Sequence, residues 1–379
     1  MEREIDREQQ GKLKGKPNFK GIVYLLAIII VLGLIVMYSA SYIVVYRWPG
    51  YDFSHYFNRQ LVNIAIGLVC MLVVALIPLK KHIEYAPFYM VAIIFLLMAV
   101  FVFPTKGGSR RWIDLKFYDL QPSELAKLVI IVFFSSYFFK NKGQDNQKKG
   151  FLEMFIIPMG WLLLVTALVA AEPDLSSSII IFVLGMMLLF VCGMKYSHII
   201  IVGVLICLSL FIIINFELLE PYQLNRIKQF LGFINDGEAQ GQVNIGLNAI
   251  SSGGILGEGL AQGDLKYLLP VQFTDFVFAI LGEELGFVGM AFLLVLYYLL
   301  ARSLIHAAVK GLKNDTGKII VIGYAYLILL QVVINVGVVL GLLPPTGVTL
   351  PFVSYGGSSM LALLSGFGLV LSALLNDKN

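Results

Sequence analysis

Glu124 and Lys127 stand three residues apart in the run Gln121-Pro122-Ser123-Glu124-Leu125-Ala126-Lys127, which opens an otherwise apolar stretch. Pro122 suits the first turn of a helix, and the i, i+3 spacing then places the carboxylate and the ammonium on one face. Upstream lies Gly107-Gly108-Ser109-Arg110-Arg111-Trp112-Ile113-Asp114. The pair is either a structural ion pair joining two helices or, with Arg111, part of an electropositive pocket. A second cluster, Glu172-Pro173-Asp174-Leu175-Ser176, leaves two carboxylates beside a helix stop, or is a plain tight turn. A third, Leu269-Pro270-Val271-Gln272-Phe273-Thr274-Asp275-Phe276, offers Asp275 as a reactive carboxylate or, with Thr274, as an ordinary helix cap. A carboxylate in such a place can take a proton from a hydroxyl, and a nearby cation can hold a developing negative charge.

Two further features extend these clusters. Glu283 and Glu284 follow Asp275 by eight and nine residues, roughly 12 to 14 Å deeper by helical rise. The small residues Ala279, Gly282, Gly286 and Gly289 form a stripe that admits a close neighbour. The fourth cluster, Gly341 to Ser359, is apolar yet rich in Pro and Gly, so it is either a plain loop or an irregular segment lining a cavity.

The elements that hold these groups are membrane helices. The chain has 379 residues, 58% of them hydrophobic and 14% charged, with a mean hydropathy of +0.84; soluble domains run at about 45 to 50% and 25%. A bilayer core of roughly 30 Å needs about 20 apolar residues per helix. Ten segments meet that need, near 21–46, 60–79, 84–104, 121–139, 151–171, 175–193, 197–216, 274–301, 319–342 and 358–375. The expected fold is therefore an all-α polytopic membrane protein. Its parts are a tail at 1–20, one transmembrane domain at 21–376 and a short end at 377–379. The run after Lys20 is too long for a signal-peptide core and is read as a retained anchor.

Lys and Arg collect on the cytoplasmic side of membrane loops. With the N-terminus inside, 18 of them fall on inner segments and 9 on outer ones, with Lys127 inside a span. Both termini are expected in the cytoplasm. The connection at 217–273, between the seventh and eighth spans, is then outside. Asn244–Ile250 and Leu265–Leu269 within it are apolar enough for short interfacial or re-entrant helices. The net charge of +4 is mild and sits at membrane edges, which argues against nucleic acid as a partner. Cys70, Cys192 and Cys207 have no metal or disulfide spacing.

The motifs together resemble the SEDS family of peptidoglycan polymerases. The matching residues are Tyr38-Ser39-Ala40-Ser41, Arg111-Trp112-Ile113, Gln121 to Lys127, Pro173-Asp174-Leu175, Thr274-Asp275-Phe276, Gly282-Glu283-Glu284-Leu285-Gly286 and Leu350 to Ser359, in order along nearly the whole chain. The resemblance implies a ten-helix fold and polymerisation of lipid II, an undecaprenyl-diphosphate-linked disaccharide pentapeptide, outside the bacterial cytoplasmic membrane. It also implies a class B penicillin-binding protein as partner. It makes Asp275 the expected catalytic carboxylate, with Arg111, Glu124, Lys127, Asp174, Ser354, Gly356 and Gly357 binding substrate. Val271 and Phe273 stand where family members often carry Glu and His, which leaves Asp275 more alone as base.

The implied reaction joins a sugar 4-hydroxyl to an anomeric carbon that loses a lipid diphosphate. One base serves the hydroxyl, and Arg111 and Lys127, or a bound divalent cation, could stabilise the departing charge. The rival readings are a lipid II flippase using the same charges and a scaffold without chemistry. A transporter calls for polar residues across the midplane or paired broken helices, whereas here, Glu283, Glu284 and Gln331 apart, they gather at the outer ends.

Overall fold

The computed structural model describes residues 19–41, 55–104, 110–116, 118–139, 152–194, 197, 238–268 and 274–375. Its helices are α1 (Phe19–Ser41), α2 (His55–Leu76), α3 (Leu79–Glu84), α4 (Ala86–Val100), α5 (Pro122–Phe139), α6 (Ile157–Ala171), α7 (Leu175–Val191), α8 (Glu238–Gly253), α9 (Val277–His306), α10 (Asp315–Val339) and α11 (Gly357–Leu375). Six stretches are long and apolar enough to cross a membrane: Phe19–Ser41, His55–Leu76, Leu152–Ala171, Val277–Gly311, Asp315–Val339 and Gly357–Leu375. Helices α4 and α7 are apolar but shorter. The span expected at 197–216 lies, residue 197 apart, outside the described residues.

The distribution of polarity is inverted relative to a water-soluble fold. Leu72, Val73, Phe88, Phe95 and Phe292 face outward, while Gln60, Lys127, Glu283, Glu284, Gln331 and Asn335 are buried. A continuous apolar exterior of this kind needs a lipid solvent. Helix α10 is the central element, packing against α5, α7, α9 and α11 with Ile320, Tyr324, Ile328 and Gln331 buried. Helix α11 lies along α2, and a Cβ on Gly368 would come within 2.5 Å of the Met71 carbonyl oxygen. Only hydrogen fits there.

Two features amend the all-α expectation. A two-residue ladder pairs Ile113 with Leu120 and Asp114 with Asp119 between α4 and α5; Lys116 at its turn donates its N–H to Asp114 Oδ1 at 2.6 Å. The larger amendment is in α9, which is broken at Gly286 (φ 63°, ψ −164°), a conformation open to glycine and strained for other residues. The small-residue stripe admits the connection that precedes α9 here. Glu258 and Gly259 donate N–H groups to the carbonyls of Glu283 and Glu284, both at 3.0 Å, and Phe287 and Val288 donate to Gly254 and Ile255 at 2.9 and 3.1 Å. Four bonds from the inserted loop thus serve backbone groups at the interrupted turn. Glu283 Oε1 accepts the Leu265 N–H at 2.6 Å, and Ser39 of α1 donates to Glu284. The adjacent glutamates, hard to explain as packing, tie the loop and α1 to α9.

Of the short helices expected in this connection, Asn244–Ile250 lies inside the longer α8 and Leu265–Leu268 forms a 3-10 turn.

Candidate active site

Asp275 lies in a turn before α9. The N-cap of α9 is Phe276, and no side chain caps the helix, so the capping role open to Asp275 in sequence is not the one it plays. A Cβ placed on Gly347 would lie 3.9 Å from Asp275 Oδ2 and 3.9 Å from Arg111 Nη1. The carboxylate and the guanidinium are thus no farther apart than twice that distance, both beside the exposed Gly347. Residues 236 positions apart at the extremes meet because three loops converge: the one after α4, the turn before α9 and the irregular segment between α10 and α11.

Asn335, buried near the end of α10, holds two of these pieces together. Its Nδ2 donates to the Asp275 carbonyl at 2.9 Å and to the Val348 carbonyl at 2.8 Å. Around this clamp, Arg111 Nε, Asn335 Oδ1 and Thr346 Oγ1 are buried without a hydrogen-bond partner among the described residues. Buried polar atoms are seldom left so, and a polar headgroup in the gap would supply partners. Sequence reasoning missed Gly347 and Asn335. Asn335 carried a signal, a polar residue within an apolar span; Gly347 carried none beyond its Gly/Pro-rich surroundings.

The other expected site residues are placed as follows. Lys127 Nζ donates to Glu124 Oε1 at 2.7 Å, with side-chain exposures of 2% and 10%. The ammonium charge is already compensated inside the protein. Asp174 caps α7 by accepting the Ser177 N–H at 3.1 Å, and its Oδ2 accepts from Gln121 Nε2 at 2.8 Å and Ser123 Oγ at 3.3 Å. It fastens the start of α7 to the start of α5. Its neighbour Glu172 is buried with neither oxygen bonded among the described residues; burial first, and then the charge of Asp174, push its pKa up to about 8. The two carboxylates at the Pro173 break therefore have different environments.

Ser354 Oγ accepts the Leu350 N–H at 2.8 Å, while its carbonyl accepts from Gln60 Nε2 of α2 at 3.1 Å. A Cβ on Gly357 would sit 3.1 Å from the Tyr118 hydroxyl, and Gly356 N–H approaches Gln60 Oε1 at 3.5 Å. These residues anchor the far end of the irregular segment to α2 and the hairpin, whereas Gly347 at its near end faces Asp275. Gln331 of α10, 0% exposed, has both amide atoms without a partner among the described residues. It lies two turns along α10 from Tyr324, which packs beside Leu128 around Gly366.

Filling the Gly347 gap should act on chemistry before it acts on folding. A methyl group stands at ordinary contact distance from both charged atoms, so Gly347→Ala should fold normally. Gly347→Leu carries further atoms up against both. The expected outcome is wild-type expression and melting for both variants, with at least a tenfold loss of turnover for the leucine variant alone, about 1.4 kcal/mol of barrier. Equal rates for Gly347→Leu and wild type would show that reactants do not pass through this gap.

Comparison with known proteins places the chain in a lineage. A family model described as cell cycle protein (FtsW/RodA/SpoVE) matches residues 20–379. The chain is 34% identical to stage V sporulation protein E of Bacillus subtilis over 360 residues, 93% of this chain and 95% of that one. It is 36% identical to the peptidoglycan glycosyltransferase MrdB of Escherichia coli K12 over 349 residues, 91% of each chain. Its fold matches a chain of a peptidoglycan synthase complex, solved for the structural coordination of polymerization and crosslinking, with a TM-score of 0.77 and 30% identity over 95% of this chain and 98% of that one.

Proposed function

Because the chain belongs to the FtsW/RodA/SpoVE family of cell cycle proteins and is a peptidoglycan glycosyltransferase, we propose that it polymerises lipid II at the outer face of the bacterial cytoplasmic membrane. The observation that carries this reading is the carboxylate of Asp275 and the guanidinium of Arg111 brought together beside Gly347, each 3.9 Å from a Cβ placed there. Asp275 takes the proton of the acceptor's 4-hydroxyl as its oxygen bonds to the anomeric carbon of the donor. The bond from that carbon to the diphosphate breaks, and the lipid diphosphate leaves with the electron pair. Arg111 stabilises the charge on the leaving group. One base and one cation suffice for a single displacement with inversion.

Lys127, compensated by Glu124, acts on the site through the shape and field of α5 rather than as a second full positive charge. Asp174, which holds α5 and α7 together, has the same indirect role. Ser354, Gly356 and Gly357 shape the far wall of the headgroup cavity. Among the described residues no group of three or more His, Cys, Asp or Glu could hold a metal ion; a divalent cation carried in on the lipid diphosphate would add its charge to that of Arg111.

The membrane topology in this reading has ten spans, including one at 197–216, a single domain at 21–376, an outer connection at 217–273 and both termini in the cytoplasm. The bias of Lys and Arg supports that orientation. A class B penicillin-binding protein is the proposed partner, supported by the likeness to a chain of a complex that coordinates polymerization with crosslinking. Identities of 34% to a sporulation protein and 36% to MrdB do not single out sporulation, elongation or division.

The direct test is the purified protein, with and without a class B penicillin-binding protein, incubated with labelled lipid II. Glycan strands are the expected product. Movement of lipid II across vesicles without any strand formation would point instead to transport.

A further inference from the structure

At the membrane edge opposite Asp275, the end of α9 carries Tyr298, Arg302 and His306 at successive i+4 positions, and Lys310 follows by the same step in the π turn Ala307–Gly311. In an α-helix this spacing drifts slowly around the axis; the wider π turn, with its i→i+5 bonds, winds back part of that drift. All four side chains line one cavity of about 440 Å³ between α9 and α10. Its remaining walls are apolar, from Ile305 and Val309 on one side to Leu329 of α10 on the other. The cavity is of the size that takes a small ligand.

Among the described residues the charge on this stripe has no partner. Arg302, His306 and Lys310 are exposed, and none makes an ion pair or hydrogen bond with a described residue. The only acid between Tyr298 and Leu329 is Asp315, and Lys318 holds it at 2.9 Å. A groove that is apolar along its length and cationic along one edge, open sideways on a membrane protein, fits a ligand with the same division.

The geometry points to a bound anionic phospholipid: acyl chain along Ile305, Val309 and Leu329, phosphate among Arg302, His306 and Lys310. Arg302 sits about 12 Å of helical rise above Lys310, and its long side chain can reach back toward the headgroup level. Basic residues scattered along a membrane edge attract anionic lipid in general. Here the cations share one groove, which makes the attraction local and saturable.

The test uses full-length protein in nanodiscs of phosphatidylcholine doped with phosphatidylglycerol, with retained lipid counted by native mass spectrometry. One phosphatidylglycerol should be retained by the wild type. Its affinity should fall by at least about tenfold in R302Q/H306Q/K310Q and in Leu329→Trp, which fills the groove and keeps the charges. It should be unchanged in K80Q/K81Q, which removes two exposed cations elsewhere. Unfolding temperatures in pure phosphatidylcholine should be alike for all four proteins, so that loss of lipid is not loss of fold. Equal retention by the wild type and the triple variant would overturn the site, and so would equal loss in K80Q/K81Q. Displacement of the lipid by a partner protein's transmembrane segment, with no lipid retained in its absence, would assign the groove to that partner instead.

Discussion

Asp275→Asn is expected to abolish strand synthesis in a protein that folds, inserts and binds lipid II as the wild type does. The amide matches the carboxylate in size, and the backbone carbonyl of residue 275 still accepts from Asn335, which bonds it at 2.9 Å. A capping role cannot obscure the result, because the cap of α9 is Phe276 and involves no side chain. What changes is the charge and the basicity beside Gly347. Loss of a general base lowers the rate by at least about a hundredfold, about 2.7 kcal/mol of barrier. Lipid II binding, followed separately, should change little. A purified variant that makes strands at the wild-type rate would remove Asp275 from the reaction and leave Arg111 facing a gap with another purpose.

The second large effect concerns folding. Replacing either Glu124 or Lys127 by alanine strands a buried charge, and breaking a buried pair typically costs about 3 to 5 kcal/mol. Both side chains are nearly inaccessible and their contact is 2.7 Å. Glu124→Ala and Lys127→Ala should therefore each melt well below the wild type in detergent. The double variant Glu124→Leu/Lys127→Met should recover most of the loss, since two apolar groups leave no charge to compensate. Glycosyltransferase activity should stay low in the double variant if α5 sets the field of the site. If the two alanine variants melt with the wild type, the pair is hydrated and its burial is not what holds α5 in place.

The wording of the chain determined the class of fold by itself and marked which polar groups stand within apolar stretches. Apolar runs of membrane length cannot bury themselves in water, so six of the ten expected spans stand among the described residues, and Pro122 marks a helix start that the structure keeps. Ionisable residues within such runs are costly, which is why Glu124 and Lys127 could be read as a pair from spacing alone. Only the tertiary structure decided what each polar group faces. Gly286 reads as one member of a small-residue stripe; its break in α9 exists because the loop at Gly253–Gly259 brings backbone groups to the interrupted turn. Asp174 and Asp275 look alike as carboxylates beside helix starts. One is held by Ser177, Gln121 and Ser123, the other lies with Arg111 beside Gly347. That difference arises from contacts between residues far apart in the chain, and local periodicity carries no record of which loops converge.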